Sequence, residues 1–402
     1  MLRKKAEIFS VVTWVVILGC LASSAFAARK EKVLYSFCSE QSCNGFQGPS
    51  NLILDAAGNF YGTTIYGGTT NNGAVFQLTH GADGTWSQNV LYSFCSLPKC
   101  SDGSSPSSGL IFDAAGNLYG ATDGVGTSLS AVVYQLAPSA NGTWTERVLH
   151  TFTYGEGLPW GNLIFDAARN LYAATLRGGN PGTIFELMPQ QGDTWVKKLL
   201  HTFQVGDGSV PFGPLVFDAS GNLYGATAEG GTGNGGTVYE LIPQANGSWR
   251  ERVLHDFGIG SDGTFPSSVI LDDARNVYGT ARYGGVSNGG TIFRLSPDAS
   301  GRWKEKVLHS FQRFDQPGAM IFDGAGNLYG PIGGGPGCPE YGCGGVFQFD
   351  PTTGAYRVIS AFGHSRKGDD PDGVVLDMNG NLYGTTTRGG SEGDGVVFEV
   401  VR

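Results

Sequence analysis

The chain has 402 residues, 65 of them glycine and 18 proline, with 40% hydrophobic, 12% aromatic and only 15% charged side chains. So few Glu, Lys and Arg exclude coiled coils and long amphipathic surface helices, while the apolar and aromatic content suffices for a packed core. This much glycine and proline favours many short strands joined by tight turns.

The first element is a processing segment. Arg3, Lys4 and Lys5 precede an apolar run from Ile8 to Leu21, and Ala25-Phe26-Ala27 forms a small-x-small cleavage site. Residues 1–27 are therefore expected to be a signal peptide, and 28–402 the mature domain. Ile17-Leu18-Gly19-Cys20 resembles a lipoprotein box, but apolar Leu21-Ala22 follows where a polar tether is expected. No later segment is long and apolar enough to span a bilayer. The expectation is a secreted, periplasmic or cell-surface monomer without a transmembrane anchor after processing. Residues 28–402 hold 23 basic and 34 acidic side chains, a formal charge of −11. Such a surface repels phosphate backbones, so no nucleic-acid partner is expected.

The rest of the chain is one unit repeated. Asp-Ala-Ala-Gly-Asn-Leu-Tyr-Gly or a close variant begins at Asp55, Asp113, Asp166, Asp218, Asp272, Asp323 and Asp377, and the tyrosines recur every 51–58 residues. A Val/Ile-Phe/Tyr pair follows in each copy, from Val75-Phe76 to Val397-Phe398, and a Trp then precedes Val-Leu-His-x-Phe in most. Each copy reads as four strands, A to D. In the fourth they are Leu215–Phe217, Asn222–Thr227, Thr237–Leu241 and Trp249–Phe257. Asp218 and Gly221 supply the A–B turn, and Asn246-Gly247-Ser248 the C–D turn. Strands A and C are apolar on both faces, so neighbouring sheets must cover them. Seven such units predict an all-β, seven-bladed β-propeller. The chain enters on a lone D strand, Val33–Phe37, and leaves on a C strand, Val396–Val400. The N-terminal strand is thus expected to complete the last blade and close the ring.

The Asn-Leu-Tyr-Gly-Thr-Thr, Gly-Gly and Gly-Thr-Val-Phe-Glu-Leu patterns resemble the bacterial GloVer (Gloeo/Verruco) tandem-repeat proteins, over essentially all of residues 28–402. The resemblance implies an exported propeller-like protein and carries no catalytic residues.

Strand parity puts the short A–B and C–D turns on one face and the long, varied B–C and D–A loops on the other, where binding residues are expected. Cys38/Cys43, Cys95/Cys100 and Cys338/Cys343 lie on that face and read as three local disulfides, a four-Cys metal site being the alternative. His150, His201, His255 and His309 repeat in the D strands and read as repeat-surface residues. The repeated aspartates read as turn formers. Non-repeated aromatic and Arg residues on the varied face are the ligand-binding candidates: Tyr66, Tyr154, Trp160, Arg177, Arg282, Tyr283, Tyr341 and Arg388. Asp369, Asp370 and Asp372 form an acidic cluster in the last D–A loop; solvated charge is expected there rather than Ca²⁺. No metal or other cofactor is expected, because the Gly-Gly runs precede strands rather than helices. Two functions follow. The first is a non-catalytic binding propeller for a carbohydrate or other surface polymer. The second is a propeller enzyme, a lyase, lactonase or glycan hydrolase, working at the loop-rich mouth.

Overall fold

A computed structural model describes residues 31–38, 52–124, 131–176, 181–335, 343–363 and 368–401, with the side chain of Tyr154 also outside the description. The described chain forms seven four-stranded antiparallel sheets, each running A-B-C-D in sequence order except the last. In the seventh the order is Asp369–Leu376, Leu382–Arg388, Val396–Val400 and then Glu31–Ser36. Lys32 pairs with Glu399 and Ser36 with Val396, so the N-terminal strand does complete the last blade. No helix among the described residues is long and apolar enough to cross a membrane.

The core lies between the sheets. Seven buried clusters are present among the described residues, one at each seam between neighbouring blades. The C-strand aromatic explains why glycine follows the repeated tyrosine in six of the seven blades, Ala173 standing there in the third. A Cβ at Gly225 would collide with the Tyr239 hydroxyl and lie 2.9 Å from Leu215. The turn aspartates are structural, as expected. Asp55 Oδ1 accepts from the Ala57 and Asn59 amides at 2.9 Å each, and Oδ2 accepts from Asn59 Nδ2 at 2.8 Å and Tyr61 Oη at 3.1 Å. Burial alone would raise the Asp55 pKa, but these donors hold it below the usual carboxylate range.

A second inter-blade device was not expected. In six blades a proline stands in the first residues of strand A or a few residues ahead of it: Pro106, Pro159, Pro211, Pro266, Pro317 and Pro371. Five of these prolines press on a glycine of the preceding blade, as Pro266 does on Gly236. The residue before the proline adopts positive φ in the same five blades: Ser105, Val210, Phe265, Gln316 and Asp370. Four of these residues donate their amide to the preceding blade's B–C loop, for example Phe265 N to Gly235 O at 2.8 Å. Pre-proline residues avoid helical backbone, so the seam must impose this conformation.

Several expectations need correction. Strand A is longer than its apolar core in four blades, running Leu158–Phe165, Ser209–Phe217, Thr264–Leu271 and Asp369–Leu376. Trp160 therefore sits in a strand rather than a D–A loop, as do Asp369, Asp370 and Asp372. Arg282 and Tyr283 belong to the end of strand B, Val277–Tyr283, and Arg388 ends Leu382–Arg388. The Cys95–Cys100 disulfide is present, which removes these two cysteines from any metal site. Cys38 and Cys343 are disulfide-bonded, while their expected partners Cys43 and Cys338 lie outside the described residues.

The histidines are seam residues rather than surface ones. His150 Nε2 lies 3.1 Å from Glu156, His255 Nε2 3.0 Å from Asp262 and His201 Nε2 3.5 Å from Asp207. His309 stacks on Tyr356 of the next blade, ring centroids 4.1 Å apart. Burial lowers the pKa of His150, His201 and His309. On the same D strands, burial and then a neighbouring aspartate push Glu146, Glu251 and Glu305 up to about 7. The signs oppose. The raised carboxyls contribute stability in full below their ordinary value of 4.5, and it is lost as pH rises through 7. His150, His201 and His309 contribute above 6.5, and that contribution is lost as pH falls below it. Glu251→Gln and Glu305→Gln should therefore raise the melting temperature at pH ~8 by roughly 1–2 °C each and change almost nothing at pH ~4, below the ordinary carboxyl value. Calorimetry at the two pH values checks this; an equal effect at both would contradict it.

Candidate functional site

The sheets surround a central channel, and two repeated positions contribute much of its wall. The first is the residue after the strand-A proline. In six blades it is Ser107, Trp160, Phe212, Ser267, Gly318 and Asp372, and all six line one cavity of about 300 Å³. The corresponding residue of the first blade, Ser50, lies outside the described residues. The second is the fourth residue after the repeated tyrosine, at or just past the end of strand B. Arg282, Gly333 and Thr387 occupy it in blades five, six and seven and line the same cavity. Both positions lie where strand A begins and strand B ends, so the cavity belongs to the varied, loop-rich face.

The wall has two chemically different sides. Trp160 and Phe212 stand on blades three and four, ring centroids 6.1 Å apart. In a ring of seven these blades lie across from the seventh, which supplies Asp372 and Asp370. An aromatic side thus faces an acidic one. Arg282 enters from the fifth blade, and its Nε is buried with no hydrogen-bond partner. The Asp372 side chain is open to the cavity and surrounded by the protein walls that line it. Burial, then the charge of Asp370, push its pKa up to about 6, against the opposing pull of Arg282. Asp370 Oδ2 accepts from Thr387 Oγ1 at 3.2 Å. Asn162 and Gln316 add amide groups to the lining.

Of the expected site residues, the structure brings Trp160 and Arg282 together in this cavity. Tyr66 is 47% exposed and Tyr283 37% exposed, both on the rim, and Arg388 is an exposed rim residue. Tyr154 opens a short helical turn, Tyr154–Glu156. Arg177 and Tyr341 lie outside the described residues. The acidic cluster does not converge as a unit, and no group of three metal-ligating side chains occurs among the described residues. Phe212, Asp372, Asn162 and Gln316 were missed as site residues. The signal that marks them is the repeated proline beside them, just before Phe212 and Asp372, three residues before Asn162 and just after Gln316.

The repeat motifs now have their structural setting, and a family model matches them over residues 21–194 and 179–398. The chain belongs to the Gloeobacter/Verrucomicrobia repeat family. No curated protein matches it significantly. Among solved structures, this Gloeobacter/Verrucomicrobia repeat chain is similar to a catalytically inactive virginiamycin B lyase from Staphylococcus aureus with quinupristin. The TM-score is 0.58 at 10% identity, covering 93% of this chain and 99% of the lyase. A protein described as a 6-phosphogluconolactonase of Bacteroides uniformis gives 0.53 at 17% identity, over 84% of this chain and 88% of its own. A domain described as the extracellular part of a one-component system of B. thetaiotaomicron gives 0.57 at 14% identity. The repeat chain covers 93% of itself but only 40% of that longer chain. At these identities the likeness is one of fold. Within the family fold, the motif residues build blades and seams, and the two channel positions are free to differ from blade to blade.

Proposed function

We propose that this protein is an exported binding propeller that takes a carbohydrate at the channel mouth. Export rests on the basic, apolar and small-x-small order of residues 1–27. The observation that carries the binding reading is the two-sided cavity. Trp160 and Phe212 offer ring faces, while Arg282, Asp372, Asn162 and Gln316 offer planar donors and acceptors. A pyranose has the complementary surfaces, an apolar C–H face and a polar hydroxyl edge, and a hydroxyl can donate to Asp372 while accepting from Arg282. The partnerless Arg282 Nε gains an acceptor in this arrangement.

A glycan and polysaccharide array tests this. Wild type should bind, and a Trp160→Ala, Arg282→Ala double variant should lose roughly 30-fold or more in affinity. Binding that persists in the variant removes this site.

One observation favours a second reading, an enzyme of the lyase, lactonase or glycan-hydrolase kind. Asp370 and Asp372 line the same cavity, and burial there pushes the Asp372 carboxyl up to about 6. A carboxyl poised near 6 can carry a proton for general acid catalysis. The array decides here too: turnover of a bound polymer, abolished by Asp372→Asn with binding retained, would replace the non-catalytic reading.

A further inference from the structure

Four aromatic side chains on the loop-rich face touch one another in series. Trp160 meets Phe212 at 6.1 Å, Phe212 meets Phe265 at 5.3 Å, and Phe265 meets Tyr283 at 6.0 Å between ring centroids. They come from blades three, four and five. None belongs to a seam cluster, so the run is not part of the core that holds the blades together. The repeat does not require aromatics there either. After the proline, the other described blades carry Ser107, Ser267, Gly318 and Asp372. Before it, where Phe265 stands, they include Ser105, Val210, Gln316 and Asp370. All four rings are accessible, Trp160, Phe212 and Phe265 half-buried and Tyr283 more exposed.

The run has a direction. Trp160 and Phe212 line the channel cavity, whereas Phe265 and Tyr283 are not among its lining residues. Tyr283 follows Arg282 at the end of strand B and lies on the rim. A continuous aromatic strip therefore leads from the channel outward across neighbouring blades. Phe265 is a rigid part of it: its positive φ of 61° is fixed between Pro266 and the hydrogen bond to Gly235 O. A ring held before binding loses little conformational entropy when a ligand lies on it.

We infer that Phe265 and Tyr283 form an outer subsite, so that the ligand is an extended neutral glycan chain with one sugar in the channel and successive sugars laid over the outer rings. This inference rests on the carbohydrate reading of the channel. Chain length is argued from the strip: a monosaccharide seated at Trp160 leaves Phe265 and Tyr283 unused. Neutrality is argued from charge. The cavity presents two carboxylates to one guanidinium, and residues 28–402 carry −11 formally, which disfavours a polyanionic chain.

The test is a length series, from monosaccharide to hexasaccharide, of gluco-, manno- and xylo-oligosaccharides titrated into the full mature chain. For the series that binds, affinity should rise at least tenfold between the single sugar and the tetrasaccharide. Tyr283→Ala, on a rim residue outside the seam cores, should remove most of that gain while leaving single-sugar affinity within about twofold. Phe265→Ala should do the same, and Phe265→Tyr should keep the gain. Binding that depends on Trp160 but is flat with length, or a length gain that survives both alanine variants, overturns the outer subsite and leaves the channel reading standing. Absence of binding by every oligosaccharide in all three series overturns both.

Discussion

Deleting residues 31–37 should lower the melting temperature by at least about 10 °C. The deletion removes the outermost strand of the seventh blade and leaves Val396–Val400 as an unpaired edge. It also removes Phe37, which is fully buried and meets Phe76 of the first blade edge-on at 5.2 Å. Truncating a buried phenylalanine alone costs about 3–5 kcal/mol, a large part of a typical domain's stability. Tyr35 Oη also donates to Gln88 of the first blade at 3.0 Å, so the same strand ties the last blade to the first. Phe37→Ala provides a milder version of the experiment with every strand retained. Thermal unfolding unchanged in both would contradict ring closure by this strand.

Gly236→Ala should destabilise the protein by about 3–4 kcal/mol, whereas Gly247→Ala should cost only about 1 kcal/mol. Both glycines have positive φ, 94° and 80°. They differ in surroundings. A Cβ at Gly236 would collide with the Thr227 carbonyl oxygen and come within 2.7 Å of Pro266 Cδ, whereas at Gly247 it would meet nothing within 4 Å. The second substitution therefore reads left-handed backbone strain alone, and the first adds the clashes with the Thr227 carbonyl of its own blade and with Pro266 of the next. Denaturant unfolding of the two variants separates these terms. Equal losses would mean that neither clash constrains Gly236.

The architecture was legible in the sequence because its signals are local and repeated. Asp218, Asn222 and Tyr224 lie within seven residues and bond to one another, so their recurrence at Asp55, Asp113 and beyond announces the same turn each time. Closure was legible because Val33–Phe37 and Val396–Val400 are the two halves of one interrupted repeat. The seams were less legible. Spacing shows that His150, His201 and His255 are equivalent, but not that a D–A loop folds Glu156, Asp207 or Asp262 beside each. The site was only partly legible for a similar reason. Ser107, Trp160, Phe212, Ser267, Gly318 and Asp372 share no chemistry, and only the proline before each marks them as one ring. Neighbouring strand residues point to opposite sides, so a single-residue offset separates channel from rim. Arg282 lines the cavity and Tyr283 does not, although both stood as candidates on equal terms.

The central claim is that the channel binds a sugar between its aromatic and its charged side. Calorimetric titration of the best-binding oligosaccharide into wild type, Trp160→Ala and Arg282→Ala tests it most directly, with Met378→Ala, on the opposite face and 91% exposed, as the control. The account predicts saturable one-to-one binding, a loss of roughly 30-fold or more in each channel variant and wild-type affinity in the control. Wild-type affinity in both channel variants would contradict it.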